Sequence, residues 1–86
     1  MFYVYVLKTS SKERLYVGFS SDLRRRLREH MEGRSYATKR MGDLKLIYYE
    51  AFIAESDAIR REKYLKTTKG KRMLKLALKD SRGPVV

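Results

Sequence analysis

Residues 2–7 read FYVYVL and residues 15–18 read LYVG, two short β-branched and aromatic runs on either side of the polar segment Thr9–Glu13. Such runs predict strands, and the short polar spacer predicts an antiparallel hairpin. A turn centred between Ser10 and Ser11 sets Tyr5 opposite Tyr16 and Tyr3 opposite Gly18. Side chains alternate along a strand, so Tyr3, Tyr5 and Tyr16 share one face while Phe2, Val4, Val6, Leu15 and Val17 line the other. Tyrosines favour strands for packing reasons alone. Gly18 opposite an aromatic ring is the more telling feature, since it leaves room for a close approach.

Working outward, Ser20 and Ser21 are each placed to cap a helix that runs to about Met31, with Asp22 in its first turn and a stop near Gly33. The basic stretch Arg34–Asp43 reads as a loop or short helical turn. Leu44–Ile53 is apolar on both alternations, which predicts a strand covered on both faces. Ser56 is placed to cap a second helix from Asp57 to about Lys66, and Thr67 or Thr68 a third, to about Lys79. The order β-β-α-β-α-α predicts an α+β domain over residues 1–80, a small antiparallel sheet packed by helices, with 81–86 as a flexible tail.

The 86 residues carry 21 Lys and Arg against 10 Asp and Glu, a formal charge of +11. The expected partner of so basic a body is a polyanion, and nucleic acid fits best. No segment has the wide apolar face of a basic membrane helix, no run is long enough to span a bilayer, and MFYVYVLK lacks the basic region of a signal peptide. A cytoplasmic protein without membrane contact is expected. There is no Cys, Asn, Gln or Trp. The absence of Cys removes disulfides and thiolate metal sites, and the missing amides match heat-adapted composition.

At about 100° per residue, Leu23, Arg26, Leu27 and His30 occupy one third of the first helix, while Arg24, Arg25 and Arg28 point elsewhere. An arginine beside apolar residues needs an anionic partner for its planar fork, and the lone histidine is either a satisfied core residue or a site residue. On the second helix, Glu62 projects among Ala58, Ile59 and Leu65. A carboxylate there is either paired with Arg26 or a lysine, or holds a metal. Mg²⁺ requires only one or two carboxylates besides waters and substrate phosphates. Tyrosines to orient or deprotonate water, an arginine for phosphate charge and a carboxylate for the ion form a set suited to phosphodiester hydrolysis. An ordinary tyrosine titrates near pH ~10, so the metal and the positive surroundings are expected to lower it. Lys69-Gly70-Lys71 lacks the remainder of a phosphate-loop pattern.

Tyr3-Val4-Tyr5, Leu15-Tyr16-Val17-Gly18, Asp22-Leu23 with Arg26 and His30, Leu46–Glu50, and Ala58 with Glu62, Leu65 and Lys66 together resemble the GIY-YIG nuclease superfamily, and most of all its small stand-alone bacterial members. The resemblance covers about residues 2 to 75. It implies a three-stranded antiparallel sheet flanked by helices and a one-metal phosphodiester cleavage using Mg²⁺ or Mn²⁺. It places Tyr5, Tyr16, Arg26 and His30 at catalytic positions and Glu62 at the metal, with excision-repair nucleases among its larger relatives. Tyr3 and Val4 stand where the name motif has Gly and Ile. The Asn that many family nucleases carry after the metal Glu has no counterpart, leaving Lys66, Lys69 or Thr67 to take its place.

The expected activity is a metal-dependent DNA endonuclease of weak sequence preference. The alternative is a binding module of the same fold with little or no catalysis. Arg24, Arg25, Arg28, Lys39, Arg40, Lys66, Lys69, Lys71 and Arg72 are the expected phosphate contacts, which position a protein but carry no sequence information. A partner protein is the remaining source of specificity.

Overall fold

The computed structural model describes residues 1–9, 14–32 and 44–79. Three strands, β1 (Phe2–Thr9), β2 (Leu15–Ser20) and β3 (Leu44–Phe52), form an antiparallel sheet in the order β2-β1-β3. The expected hairpin is present, but its register is two residues from the expected one: Tyr5 pairs with Gly18, and Leu7 with Tyr16. Thr9 sets it, because its N–H donates to the Arg14 carbonyl at 3.0 Å and its Oγ1 accepts from the Arg14 N–H at 3.0 Å. A shift of two leaves the faces unchanged. Tyr3, Tyr5, Leu7 and Tyr16 still share one face with Gly18.

β3 is an edge strand with one buried residue, Leu44, yet its apolar residues meet both cores as expected, Ile47, Tyr48 and Phe52 on one face and Leu44 and Leu46 on the other. The central strand is β1, buried from Val4 to Leu7. The register between β1 and β3 slips after Val6, which pairs with Tyr48, whereas Leu7 pairs with Leu46. This bulge at Ile47 turns Ile47 and Tyr48 toward the same core. The unbroken apolar pattern thus reflects both a bulge and coverage of both faces.

The helices are α1 (Leu23–Met31), α2 (Glu55–Leu65) and α3 (Thr68–Ala77). Asp22, not Ser20 or Ser21, caps α1 by accepting from the Arg25 N–H at 3.1 Å. Ser20 instead braces the approach, its Oγ accepting from the Asp22 N–H at 2.9 Å. At α2 the cap position is Ala54, without a side-chain bond, and Ser56 lies inside the first turn, where Glu55 and Asp57 meet the positive end of the helix. Thr67 caps α3 as expected, accepting from the Gly70 N–H at 3.0 Å.

Two cores sandwich the sheet. Val4, Val6 and Val17 pack with Ala58, Leu65 and Leu74 of α2 and α3. On the other face Tyr5, Leu7 and Leu44 pack with Leu23 and Leu27 of α1. Gly70 lets α3 cross close to α2, since a Cβ there would overlap the Tyr64 carbonyl and come within 2.8 Å of its carbon. That is a packing role for the glycine of Lys69-Gly70-Lys71. Arg61 grips Glu50 with two bonds of 2.9 and 3.0 Å, tying α2 to β3. Burial pushes the Glu50 carboxyl up, but the Arg61 fork and the Tyr48 hydroxyl outweigh it and hold it below the usual range. The fold is the expected α+β one, with three antiparallel strands and helices on both faces. The expected basic loop 34–43 and the tail 81–86 lie outside the described residues.

Candidate active site

Tyr5 is brought to the α1 face by strand alternation and has 0% of its surface exposed. Its ring crosses β2 over Gly18, where a Cβ would overlap the ring's Cζ and hydroxyl and lie 2.8 Å from Cε2. The space left by the glycine is therefore filled by the protein's own tyrosine. Above it, α1 projects Arg26 and His30 as its helical phase predicts, while Arg24, Arg25 and Arg28 are exposed.

The three groups form one hydrogen-bonded row. Arg26 Nε donates to the Tyr5 hydroxyl at 3.3 Å, and the Tyr5 hydroxyl is 2.7 Å from His30 Nε2. The phenol oxygen can accept from Arg26 and still donate its own hydrogen to His30 Nε2. This requires a neutral imidazole with its proton on Nδ1. Burial, then the charge of Arg26, pushes His30 below its ordinary value and favours that neutral form. Burial pushes the Tyr5 phenol up to about 12, against the opposing pull of its Arg26 bond. At Tyr5 the protein's own groups thus raise the phenol, because loss of water outweighs one arginine.

Tyr16, half-buried, completes a ring cluster, with its centroid 6.4 Å from Tyr5 and 5.4 Å from His30. Arg26 is held from below by Tyr5 and from the side by Glu29, which accepts from Nη1 at 3.0 Å. Both bonds raise its pKa further above the guanidinium's ordinary value. Glu29 was not among the expected site residues, although its i,i+3 spacing from Arg26 is legible in the sequence.

Glu62, on α2 and half-buried, pairs with Lys66 Nζ at 3.2 Å. The lysine partner is thus the one it takes. Its negative charge still reaches Tyr5 and helps to disfavour the phenolate. Tyr5, Tyr16, Arg26 and His30 are in one cluster, then, with Glu62 at its electrostatic margin. Lys66, one of the three residues left to replace the missing Asn, stands beside Glu62, whereas Thr67 is occupied in capping α3. Lys66, Lys69, Lys71 and Arg72 are exposed around α3, and Lys39 and Arg40 lie outside the described residues. Among the described residues no helix is long and apolar enough to cross a membrane.

A protein-family model described as the GIY-YIG catalytic domain matches residues 1–75. The chain belongs to the GIY-YIG family. Within this family of nuclease domains its relatives are UPF0213 proteins. One from Clostridium perfringens is 39% identical over 67 residues, covering 77% of this chain and 71% of the relative. One from Staphylococcus saprophyticus is 33% identical over 75 residues, covering 86% and 90%. The solution NMR structure of a UPF0213 protein from Bacillus halodurans superposes with a TM-score of 0.56 at 30% identity, covering 92% of this chain and 86% of that one. The GIY-YIG assignment rests on chain-wide similarity, and the Tyr5–His30–Arg26 row lies in the matched span.

Proposed function

We propose that this protein is a divalent-cation-dependent endonuclease acting on DNA with little intrinsic sequence preference. The observation that carries this reading is the row Arg26–Tyr5–His30 beside Tyr16: an oriented guanidinium over a set of ordered hydroxyls. In it Arg26 has free donors for a phosphate, since only Nε and Nη1 are engaged by Tyr5 and Glu29.

Among the described residues no group of three or more His, Cys, Asp and Glu could form an all-protein metal cage. A nuclease ion has no need of one, because magnesium is commonly held by one or two carboxylates with waters and phosphate oxygens. Glu62 fits that requirement. Its lysine partner is half exposed, and such exposed pairs contribute only about 0–1 kcal/mol, so the carboxylate is readily redirected. A divalent ion there would supply Lewis-acid stabilisation of the phosphate charge.

The protein's own groups divide the remaining work. Arg26 braces the scissile phosphate. Tyr5, with its proton held by His30, positions Arg26 and does not act as base. Tyr16, the tyrosine whose proton is not fixed in that row, is assigned to the attacking water. Tyr16, having released its phenol proton to solvent, takes a proton from the water as that water attacks phosphorus, the phosphoester P–O bond breaks, and the leaving oxygen departs with a proton from solvent.

The test is a cleavage screen of duplex, single-stranded, branched and damaged DNA with and without Mg²⁺ or Mn²⁺, on wild type and Glu62→Gln. The variant should fold and bind as wild type and lose cleavage. Wild-type rates in the variant would remove Glu62 from the metal, and failure to fold would make it a structural ion-pair partner. One observation favours the alternative, a binding module without catalysis: a lysine sits on Glu62 and the family's Asn is missing. Binding to the same substrates without cleavage under any metal would establish it.

A further inference from the structure

Beside the candidate active site, on the same face of the sheet, lies a second feature that phosphodiester cleavage does not use. Tyr3 lies two residues before Tyr5 on the α1 face of β1, about 7 Å along the strand. Tyr49 of β3 pairs with Tyr5 across the sheet, so it too faces α1. Its fate differs from that of its partner: Tyr5 is fully buried and Tyr49 is 52% exposed. The Tyr3 and Tyr49 rings meet edge-on, with centroids 6.2 Å apart at 62°. They form one wall of an open cleft of about 360 Å³, closed on the other side by Leu27, Arg24, Asp22 and Ser21.

The lining tells what the cleft suits. Exposed aromatic surface and leucine favour a flat apolar ligand, and the volume is in the range of small-molecule sites. Arg24, Ser21 and the Asp22 carboxylate provide both donors and acceptors at the rim. A phosphate would be repelled by Asp22, whereas a neutral ring with hydrogen-bonding edges could use both signs. On a body of charge +11, which draws in polyanions, such a ring arrives attached to a phosphate backbone. The geometry points to a nucleobase pocket: the Tyr3–Tyr49 cleft takes one unpaired base of the bound strand, stacked on Tyr49 with Arg24 at its edge, so that the protein prefers nucleic acid with single-stranded character. This deepens the proposed function and rests on its nucleic-acid substrate.

The test is binding of the full-length chain, without divalent metal, to single-stranded DNA, single-stranded RNA and a fully paired DNA duplex. Tyr49→Ala should weaken single-strand binding about tenfold, the scale of one base–aromatic stack, while duplex binding changes less than about twofold. Tyr49→Phe, which keeps the ring, should bind as wild type. The DNA and RNA arms decide which strand supplies the base. A 2-aminopurine placed unpaired in a bulge should change its fluorescence on binding wild type and not Tyr49→Ala. Equal losses on single strand and duplex, no loss on either, or an unchanged 2-aminopurine signal with wild type would overturn the pocket. The last arm needs no variant and decides the matter even where Tyr49→Ala fails to fold. Cleavage measured separately with metal keeps the two readings apart. Cleavage indifferent to Tyr49 overturns the pocket and leaves the nuclease. Base capture without cleavage does the reverse, and failure to bind any nucleic acid overturns both.

Discussion

Replacing Tyr5 with Phe removes one oxygen from a fully buried site, and its effect on stability should change sign with pH. At pH 7 the variant loses the 2.7 Å bond to His30 Nε2 and the 3.3 Å bond from Arg26. Arg26 keeps Glu29 and some access to water, so the cost falls mainly on the buried imidazole and is about 1–2 kcal/mol. Alkali works the other way. In the unfolded chain the phenol titrates near 10, whereas in the folded protein it is pushed up to about 12, chiefly by burial. A raised folded value means that this group's stabilisation is complete below pH 10 and is lost as pH rises toward 12. The linkage gives a loss of about 1.4 kcal/mol by pH 11 and about 3 kcal/mol in full, at 1.36 kcal/mol per tenfold change. The phenylalanine variant has no such term. All other groups titrate in both proteins, so the difference between them isolates Tyr5. Urea unfolding followed by circular dichroism at pH 7, 9, 10 and 11 should show wild type ahead at pH 7 and the gap nearly closed at pH 11. A gap constant over that range would refute the claim that Tyr5 is held protonated by desolvation.

Arg26→Ala should reduce turnover by orders of magnitude, while its neighbour Arg25→Ala, on the exposed side of α1, should weaken binding only modestly; equal effects in steady-state cleavage assays would misplace the site. Gly18→Ala should destabilise by about 1–3 kcal/mol or more, as overpacking does, since the new methyl meets the Tyr5 ring; a thermal melt within a degree of wild type would contradict that overlap. Duplex affinity should fall about 10³-fold between 50 and 200 mM salt if about six phosphates are neutralised, with little dependence on sequence, as titrations of random duplexes would show.

The legible parts of this molecule are those fixed by a short repeat. The period of α1 separates Arg26 and His30 from Arg24, Arg25 and Arg28, and the structure places them so. Strand alternation put Tyr3, Tyr5 and Tyr16 on one face, and that survived a register error of two, because an even shift exchanges no faces. The register itself depends on how Thr9 bonds Arg14, which hydrophobic pattern does not encode. The bulge at Ile47 was hidden for a related reason. An apolar run on both alternations announces coverage of both faces but not the extra residue that shifts the register.

What the residues could not disclose was burial, and burial decides the chemistry. Tyr5 and Tyr16 are equivalent as letters in a motif, and either could serve water. The hairpin register sets Gly18 under the Tyr5 ring, and α1 closes over it with Arg26 and His30, leaving Tyr5 buried with its hydroxyl bonded to His30. The glycine that suggested space for a ligand is what allows the Tyr5 ring to lie over β2, which is why the proposed function gives this tyrosine a positioning role. In the proposed mechanism proton transfer is thereby directed to Tyr16, and Tyr16→Phe should lower cleavage far more than it lowers stability. A Tyr5→Phe enzyme that loses activity only in proportion to a misplaced Arg26, with its pH–rate profile unshifted, is the counterpart of that assignment.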